Sequence, residues 1–431
     1  MNALEYLLSL EKFGIKFGLE NIRTLCAALG DPQTAYASVL IAGTNGKGSV
    51  TAMVDCSLRA AGLRVGRYTS PHLIHLEERF AIDGQPVGAT TLAGVIEETR
   101  EIIETLLANG ALDAPPTFFE ATTAIAFELF RRAGVQWAVL EVGLGGRLDS
   151  TNCVEPAAAA ITSIAFDHQQ YLGDTLAAIA AEKAGVIRPG IPVIIGPLEA
   201  EARGVIVSMC EAAGARLVDA HDGVEVESRT AEGRTSIKLT TARAEYGWIP
   251  LGLRGAHQIP NALVAARLVE ELARDIPIGP RAVAAGLRDV RWPGRLQLLE
   301  TPGGKRVLLD AAHNPAGAAA LAAYVTREFP EPIPFVFGAM RDKDAAEMLR
   351  ILLPVASAFV LTEPANNRAR PAGELASLVA SLAPERRIDV EPKPIAALER
   401  AWASRPVVCA AGSIFLIGEL LEGLGAGVTN L

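Results

Sequence analysis

Short apolar runs and helix-length amphipathic stretches take turns along most of the chain. Ser38 to Ala42, Gln136 to Val142, Ala158 to Ile164 and Pro192 to Ile195 are rich in Val, Ile, Leu and Ala, the signature of strands buried on both faces. Between them, Lys47 to Ala61, Thr90 to Ala108, Thr117 to Ala133 and Thr175 to Ile187 carry helical spacing, with Gly134 and Pro189-Gly190 ending the last two. This alternation predicts a doubly wound parallel sheet wrapped by helices. From Leu217 to Leu253 the pattern shifts to shorter polar alternation, as in Thr235-Ser236-Ile237-Lys238-Leu239-Thr240, which predicts antiparallel strands at an edge of the first domain. A helix pair follows at Gln258 to Ala273 and Pro280 to Leu287. Arg291-Trp292-Pro293-Gly294-Arg295 then reads as a hinge, and Leu296 to Leu299 with Arg306 to Leu309 flank Pro302-Gly303-Gly304 as a hairpin. Strand and helix alternate again from there to the end.

A chain of 431 residues exceeds one ordinary domain, so the division is placed at the hinge, as residues 1–293 and 294–431. With 50% hydrophobic and 21% charged residues the composition is globular. The formal net charge of −9 argues against a nucleic-acid-binding surface spread over the molecule. Five scattered cysteines without a CxxC pair indicate neither a disulfide framework nor a structural zinc site, and a cytoplasmic setting is expected. No secretory signal and no membrane span is expected, since no apolar run reaches about 18 residues.

The sharpest chemical signal is Val39-Leu40-Ile41-Ala42-Gly43-Thr44-Asn45-Gly46-Lys47-Gly48-Ser49, a strand that enters a Gly-rich turn and then a helix. Glycines let backbone N–H groups converge on phosphate oxygens, the helix start adds partial positive charge, and Lys47 adds a full one. Ser49 offers a hydroxyl near a Mg²⁺ ion. The turn therefore reads as an ATP phosphate loop, although Gly48 separates Lys47 from Ser49, unlike the commonest spacing. The fold class expected is α/β, a P-loop-type doubly wound domain followed by a smaller Rossmann-like α/β domain. Glu141 closes a buried strand beside three glycines, where a carboxylate can hold Mg²⁺ or simply be solvated. Asp167-His168 ends another strand. Glu182-Lys183 reads by itself as a solvated Glu-Lys pair within a helix. Asp310 ends a strand of the second domain ahead of His313-Asn314-Pro315, and Gly412-Ser413 repeats the theme.

Seven blocks in order carry a family resemblance: Gly43 to Ser49, Thr69 to Leu73, Glu141 to Asn152, Asp167-His168, Glu182 to Gly185, Pro293 to Arg295 and Asp310 to Pro315. Together they resemble folylpolyglutamate synthase and dihydrofolate synthase of the Mur ligase superfamily over nearly the whole chain. The resemblance implies an ATP-dependent amide ligase that joins L-glutamate to folate, or to dihydropteroate, through an acyl phosphate. It implies that Asn45, Gly46, Lys47, Gly48 and Ser49 cradle ATP, with Asn261, Arg295 and Asp310 completing the nucleotide site. Ser70, Glu141 and His168 match Mg²⁺ ligands, for one ion or two. Lys183 matches a lysine that is carbamylated in the family, and Lys47, His168 and Lys183 form the expected catalytic group. Thr117, Phe118, Phe119, Glu120 and Leu148 match a pterin-contacting region, and His313 and Ser413 the glutamate side. A monomer is expected, with no nucleic-acid or membrane partner. Two rival readings are a cell-wall Mur ligase acting on a nucleotide-linked peptide and an ATP-binding switch without ligase chemistry. The first usually carries an extra amino-terminal domain, whereas here the phosphate loop begins about 40 residues in.

Overall fold

The computed structural model describes residues 1–301 and 303–426; Pro302, in the turn of the expected hairpin, and residues 427–431 lie outside the described residues. The first sheet has eight strands: β1 (Ala37–Ala42), β2 (Val65–Tyr68), β3 (Phe80–Ile82), β4 (Gln85–Pro86), β5 (Trp137–Glu141), β6 (Ala158–Ile161), β7 (Pro192–Ile195) and β8 (Arg216–Asp219). Their order is β4-β3-β2-β5-β1-β6-β7-β8. All neighbouring pairs from β2 to β8 are parallel, and β3 and β4 add an antiparallel edge. The chain leaves β1 for β2 on one side and later places β6 on the other, so the winding reverses at β1. Open sheets of this kind bind ligands at the carboxyl ends of the strands beside such a reversal.

Alternate residues of β1 feed two cores. Leu40 and Ala42 pack with the helix Phe118–Ala133, while Val39 and Ile41 pack with the helices Lys47–Ala60 and Gln258–Leu272. Both faces are therefore dry, which is why the strand reads as one apolar run.

The stretch after Leu217 departs from expectation at its start. Arg216–Asp219 is the parallel edge strand β8, reached from β7 through the helix Ala200–Ala213. Antiparallel pairing begins only at β9 (Glu225–Ala231), β10 (Arg234–Thr240) and β11 (Glu245–Pro250), which form a separate sheet in the order β11-β10-β9. The third sheet holds β12 (Gln297–Glu300), β13 (Arg306–Asp310), β14 (Ile333–Phe337), β15 (Ala356–Leu361), β16 (Arg387–Val390) and β17 (Val407–Ala411). Its order is β12-β13-β17-β14-β15-β16, parallel except for β12.

Element ends are set by side chains that leave the ladder. β6 stops at Ile161 rather than Ile164 because the Thr162 and Ser163 hydroxyls turn to the Asn45 carbonyl, at 2.6 and 3.0 Å. Thr175 and Thr117 are N-caps rather than first helical residues, each accepting an amide three positions on. The helix Leu176–Ala184 gives way at Gly185, where a Cβ would collide with the Arg147 backbone. No helix among the described residues is long and apolar enough to cross a membrane.

The third sheet touches the first through the Thr69–Ile74 loop. Leu73 and Ile74 pack against the cluster formed by β13, β17 and the helix Ile414–Gly423. A Cβ at Gly418 would strike the Leu73 carbonyl oxygen.

Candidate functional site

The loop between β1 and its helix is held open by contacts that only glycine permits. Gly46 sits at φ 86° against the Asn261 side chain, Gly43 at φ 145° against Thr162, and a Cβ on Gly48 would lie 2.8 Å from Trp292 Nε1. Lys47 Nζ folds back to the Gly43 and Thr44 carbonyls, at 3.1 and 3.3 Å. Gln258 Nε2 donates to the buried Ser49 hydroxyl at 3.4 Å, and Asn261 Nδ2 donates to Gln258 Oε1 at 2.9 Å. The start of the helix Gln258–Leu272 thus walls one side of the loop.

Glu141 is buried at the end of β5, and the Ser70 amide donates to its Oε2 at 3.2 Å. Burial raises the Glu141 pKa, against the pull of Lys47, the Ser70 amide, Arg295 and Arg79. Lys183 is only 4% exposed and donates to the Gly43 carbonyl at 2.9 Å. Burial, reinforced by the Lys47 charge, lowers its pKa to about 7. Its helical neighbour Glu182 instead pairs with Arg147 at 2.8 Å. Lys183 is therefore no partner in an ordinary helical ion pair but a buried amine at the foot of the phosphate loop.

The third sheet closes the other side. Asn314 Nδ2 donates to Asn45 Oδ1 at 3.0 Å and to Asp167 Oδ2 at 3.1 Å. Lys343 Nζ lies 2.6 Å from Asp167 Oδ1 and 3.3 Å from His168 Nε2. His313 Nε2 is 3.5 Å from Asp167 Oδ2. Burial pushes the Asp167 pKa up, but His313, Lys343 and His168 together hold it well below the usual carboxylate range. His168 adopts φ 52°, and burial with the Lys343 and Lys47 charges outweighs Asp167, lowering its pKa to about 4. It is a neutral imidazole at pH 7.

Other expected residues spend their polar atoms locally. Asp310 accepts the Leu296 and Ala312 amides at 2.8 and 2.9 Å, tying the hinge to β13. Ser413 caps the helix Ile414–Gly423 through the Phe415 amide. Thr117 and Glu120 form a reciprocal capping box, with 2.7 and 3.2 Å bonds. Phe118 lies under the Arg79 guanidinium, Phe119 abuts Gly143, and Leu148 is half-buried. These four positions, at the start of the helix Phe118–Ala133, lie across the sheet from the helix Lys47–Ala60. Arg295 is held at the hinge by its bond to the Gly294 carbonyl at 3.1 Å and faces the cavity shared by Ser70 and Glu141.

Sequence reasoning missed Lys343, Asn314 as a cross-cleft partner, and the Gln258–Ser49 contact. The Asp342-Lys343-Asp344 run looks like a solvated turn, and only the fold brings it to Asp167. Among the described residues no three His, Cys, Asp or Glu side chains gather as a metal cage. Ser70, Glu141 and His168 offer a hydroxyl, a carboxylate and an imidazole. Ser70 and Glu141 meet through the Ser70 amide, and that pair suits a hard divalent cation that takes its remaining ligands from water and phosphate, whereas His168 Nε2 stands against Lys343 Nζ with no hydrogen bond to either among the described residues. At one strand-end crevice a phosphate cradle with Lys47 can offset the charge of a phosphoryl transfer, and the buried Glu141 carboxylate can hold a cation beside it.

The Mur ligase middle domain family matches residues 87–269, and the Mur ligase glutamate ligase domain family matches residues 294–414. The dihydrofolate synthase/folylpolyglutamate synthase of Bacillus subtilis is 34% identical over 96% of this chain and 96% of its own. The chain belongs to the folylpolyglutamate synthase/dihydrofolate synthase family of Mur ligases. A crystal structure of the Mycobacterium tuberculosis folylpolyglutamate synthase complexed with ADP and AMPPCP superposes with a TM-score of 0.91, at 33% identity over 98% of this chain and 99% of that one. A Haloferax volcanii protein, whose name joins folylpolyglutamate synthase to dihydropteroate synthase, is 37% identical over 97% of this chain. The chain spans 49% of that relative's length, so it corresponds to about half of a longer folylpolyglutamate synthase relative there.

Proposed function

We propose that the chain is an ATP-dependent ligase that adds L-glutamate to a folate carboxylate, and that it accepts dihydropteroate as well. The observation that carries this reading is the convergence of Lys47, Glu141 and Lys183 on the phosphate loop, faced across the cleft by Asn314 and Lys343. A carboxylate is a poor acyl donor, because its leaving group would be oxide. ATP converts it to an acyl phosphate, and the glutamate amine displaces phosphate through a tetrahedral intermediate.

In this reading Asn45, Gly46, Lys47, Gly48 and Ser49 hold the ATP phosphates, and Lys47 neutralises charge at the transferring group. Asn261, Arg295 and Asp310 frame the nucleoside, with Asp310 acting by fixing the hinge backbone. Ser70, Glu141 and His168 hold the divalent cation, of the magnesium class, which supplies positive charge at the phosphates. Lys183, an amine that is substantially neutral near pH 7, is suited to carbamylation and would then carry an anionic oxygen toward that cation. Thr117, Phe118, Phe119, Glu120 and Leu148 border the pterin side. His313, Ser413 and Lys343 border the glutamate side. The division at Pro293 separates the ATP and folate half from the glutamate half, and one chain supplies both.

The test is phosphate release with ATP and Mg²⁺, with glutamate and a reduced folate added singly and together. Release that needs both, with a glutamylated product by mass spectrometry, supports the ligase. Release with neither supports a nucleotide switch, and release only with a nucleotide-linked peptide supports a cell-wall ligase.

A further inference from the structure

The crevice at Ser70 and Glu141 has a second way out. A cavity of about 290 Å³ begins at these two residues, beside Gly48 and Arg295, and ends at Gln85, Asp289 and Arg291, which are exposed. Glu141 itself is buried, so the cavity leads from the reacting centre to the surface. It follows the helix Lys47–Ala60 on the face of the sheet opposite the helix Phe118–Ala133, and neither the pterin residues nor Asn261 and Asp310 line it.

Arg59, Arg67 and Arg291 line it, and the chemistry above uses none of them. The Arg67 side chain is 12% exposed, that of Arg59 is 31% exposed, and Arg291 is exposed, so the positive charges follow one another toward the mouth. The fully buried Asp55 carboxylate orients two of them, accepting from Arg59 Nε at 3.3 Å and from Arg67 Nη1 at 3.1 Å. One carboxylate shared by two guanidinium groups leaves a positive charge over. Among the described residues Arg67 Nε is buried without a hydrogen-bond partner, Arg59 donates from Nε alone, and the Arg291 side chain donates only to the Val290 carbonyl, at 3.3 Å. The acids on the wall are engaged elsewhere: Glu78 accepts the Leu73, Ile74 and His75 amides, and Asp289 accepts two bonds from Arg288. Spare guanidinium donors with few spare acceptors suit an oxyanion.

An oxyanion is made at the inner end. In the ligase reading, on which this inference rests for its ligand, the glutamate amine forms a C–N bond beside Glu141 as the acyl C–O bond to phosphate breaks. At that moment ADP still fills the loop, and the glutamylated folate still fills the opposite face. We propose that the arginine-lined cavity is the exit route of the product phosphate, with Arg67, Arg59 and Arg291 forming an inorganic phosphate site on the way out.

The probe is inorganic phosphate, titrated calorimetrically into wild type and Arg291→Glu, both saturated with ADP and Mg²⁺. Binding weaker by about tenfold or more in the variant is expected, because a charge-assisted bond is lost and its sign reversed. Arg291 is exposed and outside the Asp55 pairs, so the variant should fold. A second variant, Gln85→Trp, puts bulk at the mouth without touching a charge. In a single turnover both variants should form the amide at the wild-type rate, read by mass spectrometry, while phosphate release, read with a fluorescent phosphate sensor, falls behind it. Unchanged phosphate affinity in Arg291→Glu would overturn the site, and release that keeps pace with amide formation in both variants would overturn the route. ADP binding weakened by the same factor would also overturn the proposal, since the arginines would then be holding the nucleotide. If wild type fails to glutamylate any folate, the ligase reading falls, while the phosphate titration still judges the cavity.

Discussion

Asn45 and Asn314, 269 positions apart, exchange reciprocal side-chain amide hydrogen bonds across the cleft, at 3.3 and 3.0 Å. Asn314 also caps its own helix, accepting the Gly317 amide at 2.8 Å, so one side chain starts a helix and latches the phosphate loop.

Changing it separates the two roles. Asn314→Ala should cost about 1–2 kcal/mol in urea unfolding, from the lost cap and the stranded amide. Asn314→Asp keeps a capping oxygen but loses the Nδ2 donor to Asn45 and Asp167, and brings a second carboxylate to Asp167. It should also unfold at lower urea, from carboxylate repulsion against Asp167 rather than from a lost cap, and bind a non-hydrolysable ATP analogue more weakly. Equal affinity in the two proteins would show that the latch does not support the loop.

Lys47→Ala should retain the fold and lose about a hundredfold or more in ligase rate, since Lys47 is the charge expected at the transferring phosphate. Its two intramolecular bonds go to backbone carbonyls that can turn to water, so circular dichroism should be unchanged. A folded variant with near-normal rate would remove Lys47 from the phosphate site.

The fold and the phosphate loop were legible because they rest on local pattern. β1 is apolar on both faces, and Gly43, Gly46 and Gly48 mark close approaches in sequence order. The cross-cleft contacts were not legible. Lys343 and Asp167 are 176 residues apart and meet only after two sheets have docked. Nor does Lys183 look unusual beside Glu182 until the fold gives Glu182 to Arg147. At the far edge of the first sheet, Leu217 and Val218 pair in parallel with Val193 and Ile194, a choice of direction that alternation alone does not make.

Lys183 makes stability depend on pH in a defined direction. Its pKa is lowered from 10.5 to about 7 in the folded chain. Between those values the unfolded chain holds a proton that the folded chain has released, so stability rises with pH across the window. In CO2-depleted buffer, Lys183→Met should gain most over wild type at about pH 6 and lose that advantage by about pH 10. A pH-independent difference in urea midpoint would contradict the buried amine. With ¹³C-bicarbonate, a carbamate resonance should appear in wild type, grow from about pH 6 to about pH 8 and be missing from Lys183→Met.

Glu141→Gln should weaken Mn²⁺ binding in the presence of an ATP analogue by about tenfold or more, read directly by electron paramagnetic resonance. His168→Ala should do the same to a smaller extent, because a neutral imidazole brings no charge. Unchanged Mn²⁺ affinity in both variants would take the metal away from these residues.

The contact of Gly418 with the Leu73 carbonyl bears on how such enzymes can be recombined. A helix of the carboxy-terminal half lies so close to a loop of the amino-terminal half that no side chain fits between them. Chimeras that join residues 1–293 to the second half of a relative inherit that seam whole or not at all. A donor with alanine in place of Gly418 would have to push the Leu73 carbonyl aside, and with it the loop that carries Ser70 to Glu141, so a mismatch at the seam would be felt in the crevice.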